Sequence, residues 1–163
     1  MNEELDALAA AVRLMDDESA DLRLAFGLAC ARRVVHLLED PRAVAAVGVL
    51  QAFVEGRCDA STFLAARREV EAVARSHPGS RSLDGAAHAA VSATNAVANA
   101  LAGRALDAAG YGAYAAVYAY SGSAVMDRSA FEGEFRWQVE ELARLAGARL
   151  IPPSASSRRP FGP

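Results

Sequence analysis

Apolar positions recur at helical spacing along nearly the whole chain, and no segment alternates convincingly with the two-residue period of a strand. The spacing predicts a short amphipathic helix over Glu3–Leu14, with Leu5, Leu8, Val12 and Met15 inward. Asp16-Asp17-Glu18-Ser19 then offers capping oxygens and negative charge to a following N-terminus. Asp21–Glu39 reads as a long helix with two apolar faces, Leu22, Phe26, Ala29 and Leu37 on one, Leu24, Leu28 and Val35 on the other. A helix apolar on two sides is mostly enclosed. Asp40-Pro41 punctuates the chain, the aspartate as cap and the proline at the first helical position.

Further helices are expected over Arg42–Glu55, closed by Gly56, and from Asp59 to about Arg75. The second carries a charged face of Arg67, Arg68, Glu69 and Glu71 that reads as solvated. Ser76–Ser82 is a loop by composition. Ser129-Ala-Phe-Glu132 is a capping box, opening a last helix to about Leu145 with Phe131, Phe135, Val139 and Leu142 inward. From Gly147 onward proline, serine and arginine dominate, and a disordered tail over 147–163 is expected.

One stretch organises the rest. Between Gly85 and Met126 only Arg104 and Asp107 carry a formal charge, and they sit together in the middle. Gly85–Gly103 and Ala108–Met126, on either side, are dominated by alanine. A solvent-facing helix shows a charged stripe, so two charge-free helices in a row read as the buried pair of a bundle. A membrane hairpin is the competing reading, since a spanning helix needs roughly 20 predominantly apolar residues. His88, Ser92, Asn95 and Asn99 interrupt the first segment, and its apolar content is alanine rather than leucine. The expected fold is therefore all-α, a compact bundle of six to seven helices with an alanine-rich central hairpin, as one domain over residues 1–146.

Composition narrows the function classes. The chain has 163 residues, 53% hydrophobic and 23% charged, with a net charge of −3 that gives nucleic acid no basic field to follow. All 17 basic residues are arginine, Ile151 is the sole isoleucine and alanine makes up about a quarter, which suggests a GC-rich bacterial genome. Cys30 and Cys58 make no disulfide framework, and the acidic N-terminus does not resemble a signal peptide, so a cytoplasmic location is expected.

Candidate chemistry is sparse. His36, His77 and His88 stand apart, with no HExxH and no CxxC, and Tyr120-Ser-Gly-Ser123 lacks the nucleophile-elbow pattern. No phosphate-cradling glycine loop is present, His36 near Cys30 reads as packing, and neither an enzyme nor a cofactor is expected. Two stripes stand out instead. His88, Ser92, Asn95 and Asn99 share one face of their helix, and Tyr111, Tyr114 and Tyr118 share one face of the next. Facing each other they would line a polar pocket for a small molecule. The alternatives are a hydrogen-bonded core network or a solvent face for the first stripe, and ordinary packing for the tyrosines. Arg32 or Arg33, on the enclosed helix, is expected to make a structural ion pair with Glu39, Glu69, Asp107 or a carboxylate of the last helix. Glu132, Glu134, Glu140 and Glu141 around the sole tryptophan, Trp137, form a candidate partner-binding surface, with the tryptophan as a core plug the competing reading.

Three segments carry a family resemblance. Leu24-Ala-Phe-Gly-Leu-Ala-Cys30-Ala-Arg32-Arg33-Val-Val-His36-Leu-Leu-Glu39-Asp40-Pro41-Arg42 resembles the opening helix of the immunity protein 5-like family, predicted immunity proteins of bacterial polymorphic toxin systems. The next helix, ending in Glu55-Gly56 and followed by another helix and an alanine-rich pair, fits that layout. Glu134-Phe-Arg136-Trp137-Gln138-Val-Glu140-Glu-Leu142 is similar to the family's closing aromatic-glutamine helix. The resemblance spans roughly Asp21–Leu145 and implies an all-α domain that binds and neutralises a toxin protein. A small-molecule-binding module and a structural or oligomerisation domain stay open beside it.

Overall fold

The structure, a computed structural model, describes residues 2–77 and 86–150. Seven α-helices occur among the described residues: α1 (Glu3–Ala11), α2 (Ala20–Arg33), α3 (Pro41–Val54), α4 (Ala60–Ser76), α5 (Ala86–Leu101), α6 (Ala105–Tyr120) and α7 (Glu132–Leu150). No strand occurs among them.

Alanine adds little girth to a helix and loses no rotamer freedom on burial, so alanine-rich helices can approach closely on several sides. α5 and α6 do so as a hairpin at the centre of the bundle. Ala93, Ala96, Ala100, Ala105, Ala108 and Ala115 are all fully buried, as is Val97; Ala90 is buried and Ala116 half-buried. The hairpin turns at Gly103, whose φ of +72° lies in the region that favours glycine. Arg104 and Asp107, the two charges of the stretch, sit at this turn in solvent, with Asp107 in the first turn of α6 where a carboxylate opposes the helix dipole.

α2 lies against both arms of the hairpin. Gly27 makes the crossing with α5 possible, since a Cβ there would stand 3.1 Å from the Ala100 Cα. Phe26 of α2, Leu50 of α3 and Leu142 of α7 fill the surrounding core. α3 and α4 form a second hairpin, with the Phe53 and Phe63 rings stacked at 4.2 Å. α1 and α7 close the opposite side, against α2 and α6. Asn2, Asp40 and Asp59 cap α1, α3 and α4 by accepting the backbone N–H of Leu5, Arg42 and Thr62.

Several element ends differ from the sequence expectation. α2 stops at Arg33 rather than Glu39, and Val35–Leu37 form a short 3-10 turn. Adjacent β-branched Val34 and Val35 disfavour helix, and Arg32 and Arg33 suit a helix C-terminus. α6 ends at Tyr120, where the Ser121-Gly-Ser123 run breaks the helix as its composition suggests: Ser121 is extended, and Ala124–Met126 make a separate 3-10 turn. Ser129 does not cap α7. Its N–H and hydroxyl both donate to Asp127, which opens a 3-10 turn ahead of the helix. Ser19 does not cap α2 either; its buried hydroxyl accepts from Arg149 Nη1 at 3.1 Å. Arg149 also donates to the Glu18 carbonyl, and this anchor offsets the helix cost of Gly147. α7 therefore continues to Leu150, and residues 147–150, expected in the tail, are helical. Residues 151–163 of that tail and 78–82 of the expected loop lie outside the described residues.

Candidate functional site

The closing helix sorts its charges by face. Glu134, Trp137 and Glu141, at i, i+3 and i+7, fall on the side turned to α2. Arg33 of α2 meets Glu134 in a two-pronged pair, Nε to Oε2 at 2.6 Å and Nη2 to Oε1 at 2.7 Å. Its guanidinium carbon lies 4.5 Å over the Trp137 ring. One turn along, Arg144 donates to Glu141 at 2.7 and 2.8 Å, and this holds the Glu141 carboxyl below its usual range. A groove of about 470 Å3 between the two helices is lined by Arg32, Arg33, Trp137, Glu141 and Arg144 over Leu28 and Leu145.

The glutamates expected to share one surface there are divided. Glu134 and Glu141 are engaged by arginines, while Glu132 and Glu140 are exposed elsewhere on α7, so no single acidic face surrounds the tryptophan. Trp137 is half-buried against the main core and covered by Arg33. Of the two arginines of which one was expected to pair, Arg33 does so, with Glu134, and Arg32 is exposed and without an ion pair among the described residues. Nearby Cys30 is 2% exposed; burial, reinforced by the carboxylates of Glu141 and Glu134, pushes its thiol well up. His36 lies exposed on the 3-10 turn rather than packed.

The polar stripe of α5 is occupied largely with its own helix. Asn95 Nδ2 donates to the Val91 carbonyl at 3.0 Å and Asn99 Nδ2 to the Asn95 carbonyl at 2.8 Å. Asn99 is buried, and its Oδ1 accepts from Arg104 Nε at 2.7 Å. Ser92 is half-buried. Asn95 and Asn99 line a cavity toward α4 with Glu71, Arg75 and Arg104. The stripe touches the tyrosines at His88, whose exposed ring stacks on Tyr118 with centroids 5.2 Å apart.

The tyrosine stripe is the surface that stays open. Asp107, Tyr111, Tyr114 and Tyr118, at i, i+4, i+7 and i+11, follow one line along α6, with Tyr118 half-buried and the others exposed. From His88 the rings continue through Tyr118 to Tyr114 at 6.2 Å, to Phe131 edge-on at 5.2 Å, and to Phe135 at 5.6 Å. Five rings thus run from α5 across α6 to the start of α7. Beside them lies a cavity of about 500 Å3 between α1, α6 and α7, walled by Leu106, Tyr114, Met126, Phe131 and Phe135. Met126 is 89% exposed at its edge. Gln138, 1% exposed, also lines it, donating Nε2 to the Ala109 carbonyl at 2.8 Å and accepting from Asn2 Nδ2 at 3.1 Å.

Sequence reasoning named the tyrosines but missed Asn2, Asp6, Met126 and Gln138, which share this cavity. Asn2 carried a signal, since an asparagine before Glu3-Glu4 is a cap signature. The α1–α6–α7 juxtaposition itself is tertiary.

No helix among the described residues is long and apolar enough to cross a membrane. No curated protein and no solved structure gives a match to the chain. A family model does match, over residues 13–145, which takes in α2 through most of α7 with the Arg33–Trp137 pair and the ring-lined face. The chain belongs to the Imm-5 like putative immunity protein family.

Proposed function

We propose that this chain is a bacterial immunity protein that binds and neutralises a toxin protein, and that it does so with the ring-lined face of α6. Family membership supports the first half. One observation carries the second: Tyr111, Tyr114 and Met126 stand exposed, and Tyr114 and Met126 line a cavity together with the Phe131 and Phe135 rings. Contiguous exposed apolar surface on a soluble domain marks an interaction site. Tyrosine supplies large, rigid contact area at low entropy cost, with a hydroxyl left to choose among partners. Neutralisation needs only occupancy of the toxin, so the chain acts in the cytoplasm by binding alone, without chemistry or cofactor of its own.

The test is co-expression with a candidate toxin of the same polymorphic toxin system. Wild type should restore growth, and the triple variant Tyr111→Ala, Tyr114→Ala, Met126→Ala should lose that protection while melting as wild type does. Val44→Ala, at an exposed position on α3, is the control. Full protection by a folded triple variant would remove the face from the account, and no protection by wild type would remove the immunity role.

A further inference from the structure

We infer that the cavity beside Tyr114 is built to seat one basic side chain, an arginine or lysine presented by the partner protein. The inference rests on the binding role proposed above and specifies what that face recognises.

The walls come first. Tyr114, Phe131 and Phe135 offer ring surface, and Leu106 and Met126 complete an apolar channel. A long aliphatic stem suits such walls, and a cation gains further from the ring faces. The buried polar group of the lining makes no demand on a ligand, since Gln138 is held by Asn2 and the Ala109 carbonyl. Selectivity must then come from the mouth, and the mouth is acidic. Glu3 and Asp6 of α1 line it, and Glu4 and Glu132 line the adjoining depression. Three carboxylates in the first turn of α1 outweigh the half positive charge of that helix end.

The cations already nearby leave this charge available. Arg128 stands 3.8 Å from Glu3, but both side chains are more than four-fifths exposed, where such a pair contributes little. An incoming guanidinium can displace it at small cost. Arg128 lines both the cavity and the adjoining depression, and Arg136 lines the depression alone. Asp6 has no ion pair among the described residues. The molecule builds the same combination once within itself: Arg33 lies over the Trp137 ring while its nitrogens meet Glu134. At the cavity the ring wall and the carboxylates are present, and Arg128, the arginine of the lining, is held there by its exposed contact with Glu3 alone among the described residues.

The probe is N-acetyl-arginine methylamide, with the uncharged N-acetyl-citrulline methylamide as its isostere, titrated into the full chain and followed by NMR. The arginine probe should shift the Gln138 side-chain amide and the Tyr114 and Phe131 ring signals saturably, and the citrulline probe should bind at least fivefold more weakly. The double variant Glu3→Gln, Asp6→Asn should remove that difference. Equal shifts from both probes, no shift at the cavity, or undiminished selectivity in the double variant overturns the inference. Growth protection separates it from the reading beneath it. If the double variant protects as well as wild type while the tyrosine–methionine variant fails, the basic anchor is wrong and the face stands. If it protects poorly, and added salt weakens toxin binding to wild type more than to the variant, the anchor is confirmed.

Discussion

Arg33 shows how one side chain can join two helices distant in sequence. It binds Glu134 with two nitrogens and covers Trp137, so its removal leaves a largely buried carboxylate and an uncovered indole. Because Arg33 itself is over a third exposed, Arg33→Ala should cost about 1–2 kcal/mol rather than the larger penalty of a buried pair. A urea melt followed by the emission of Trp137, the sole tryptophan, reads this directly, and an unchanged midpoint would show the pair to be ornamental. The same corner encloses one of the two thiols. Cys30 is sealed and its thiolate disfavoured, whereas Cys58 is half-buried. A disulfide reagent should therefore label one thiol in the native protein and the second only on unfolding; two equally fast thiols would contradict the burial. That an arginine here would pair was legible from two adjacent arginines on a largely apolar helix. That Arg33 and not Arg32 would do so depends on where α2 stops, which residue spacing alone does not give.

At the scale of elements, absence was the most informative signal. Two alanine-rich segments lacking charge announced the central hairpin, and Gly56 and Gly103 fell where helices end with positive φ. Ends without such punctuation were misplaced, as at Val34-Val35, where the apolar pattern runs on after the helix has stopped. Glycines also divide by what surrounds them. At Gly27 a methyl group would press on Ala100, Cα at 3.1 Å and Cβ at 3.2 Å, with backbone on both sides unable to yield cheaply. Gly27→Ala should cost about 1–3 kcal/mol through overpacking. Gly48 lies mid-helix in α3 with open space around it, so Gly48→Ala should gain up to about 1 kcal/mol from helix propensity. Thermal melts of the two variants should move in opposite directions; a harmless Gly27→Ala would show that the α2–α5 crossing is looser than described.

For the whole molecule, the candidate surface was only half legible. The tyrosine stripe could be counted off along α6, but the cavity beside it needs α1 and α7 brought to the same side. The glutamates of α7 misled for the converse reason, since neighbours in sequence lie on different faces and two meet arginines. The fold thus covers one side of the tryptophan with Arg33 and leaves Tyr111 and Tyr114 exposed, and the account stands on that difference. The affinity of the purified toxin for this chain, measured by calorimetry at fixed ionic strength, tests it most directly. Tyr111→Ala, Tyr114→Ala, Met126→Ala together should weaken binding at least about a hundredfold, the three side chains each contributing about 1–2 kcal/mol. Trp137→Phe should leave it within about threefold, as expected of a residue outside the interface. A binding constant unmoved by the triple variant, or lost on Trp137→Phe in a protein that still folds, would contradict the account.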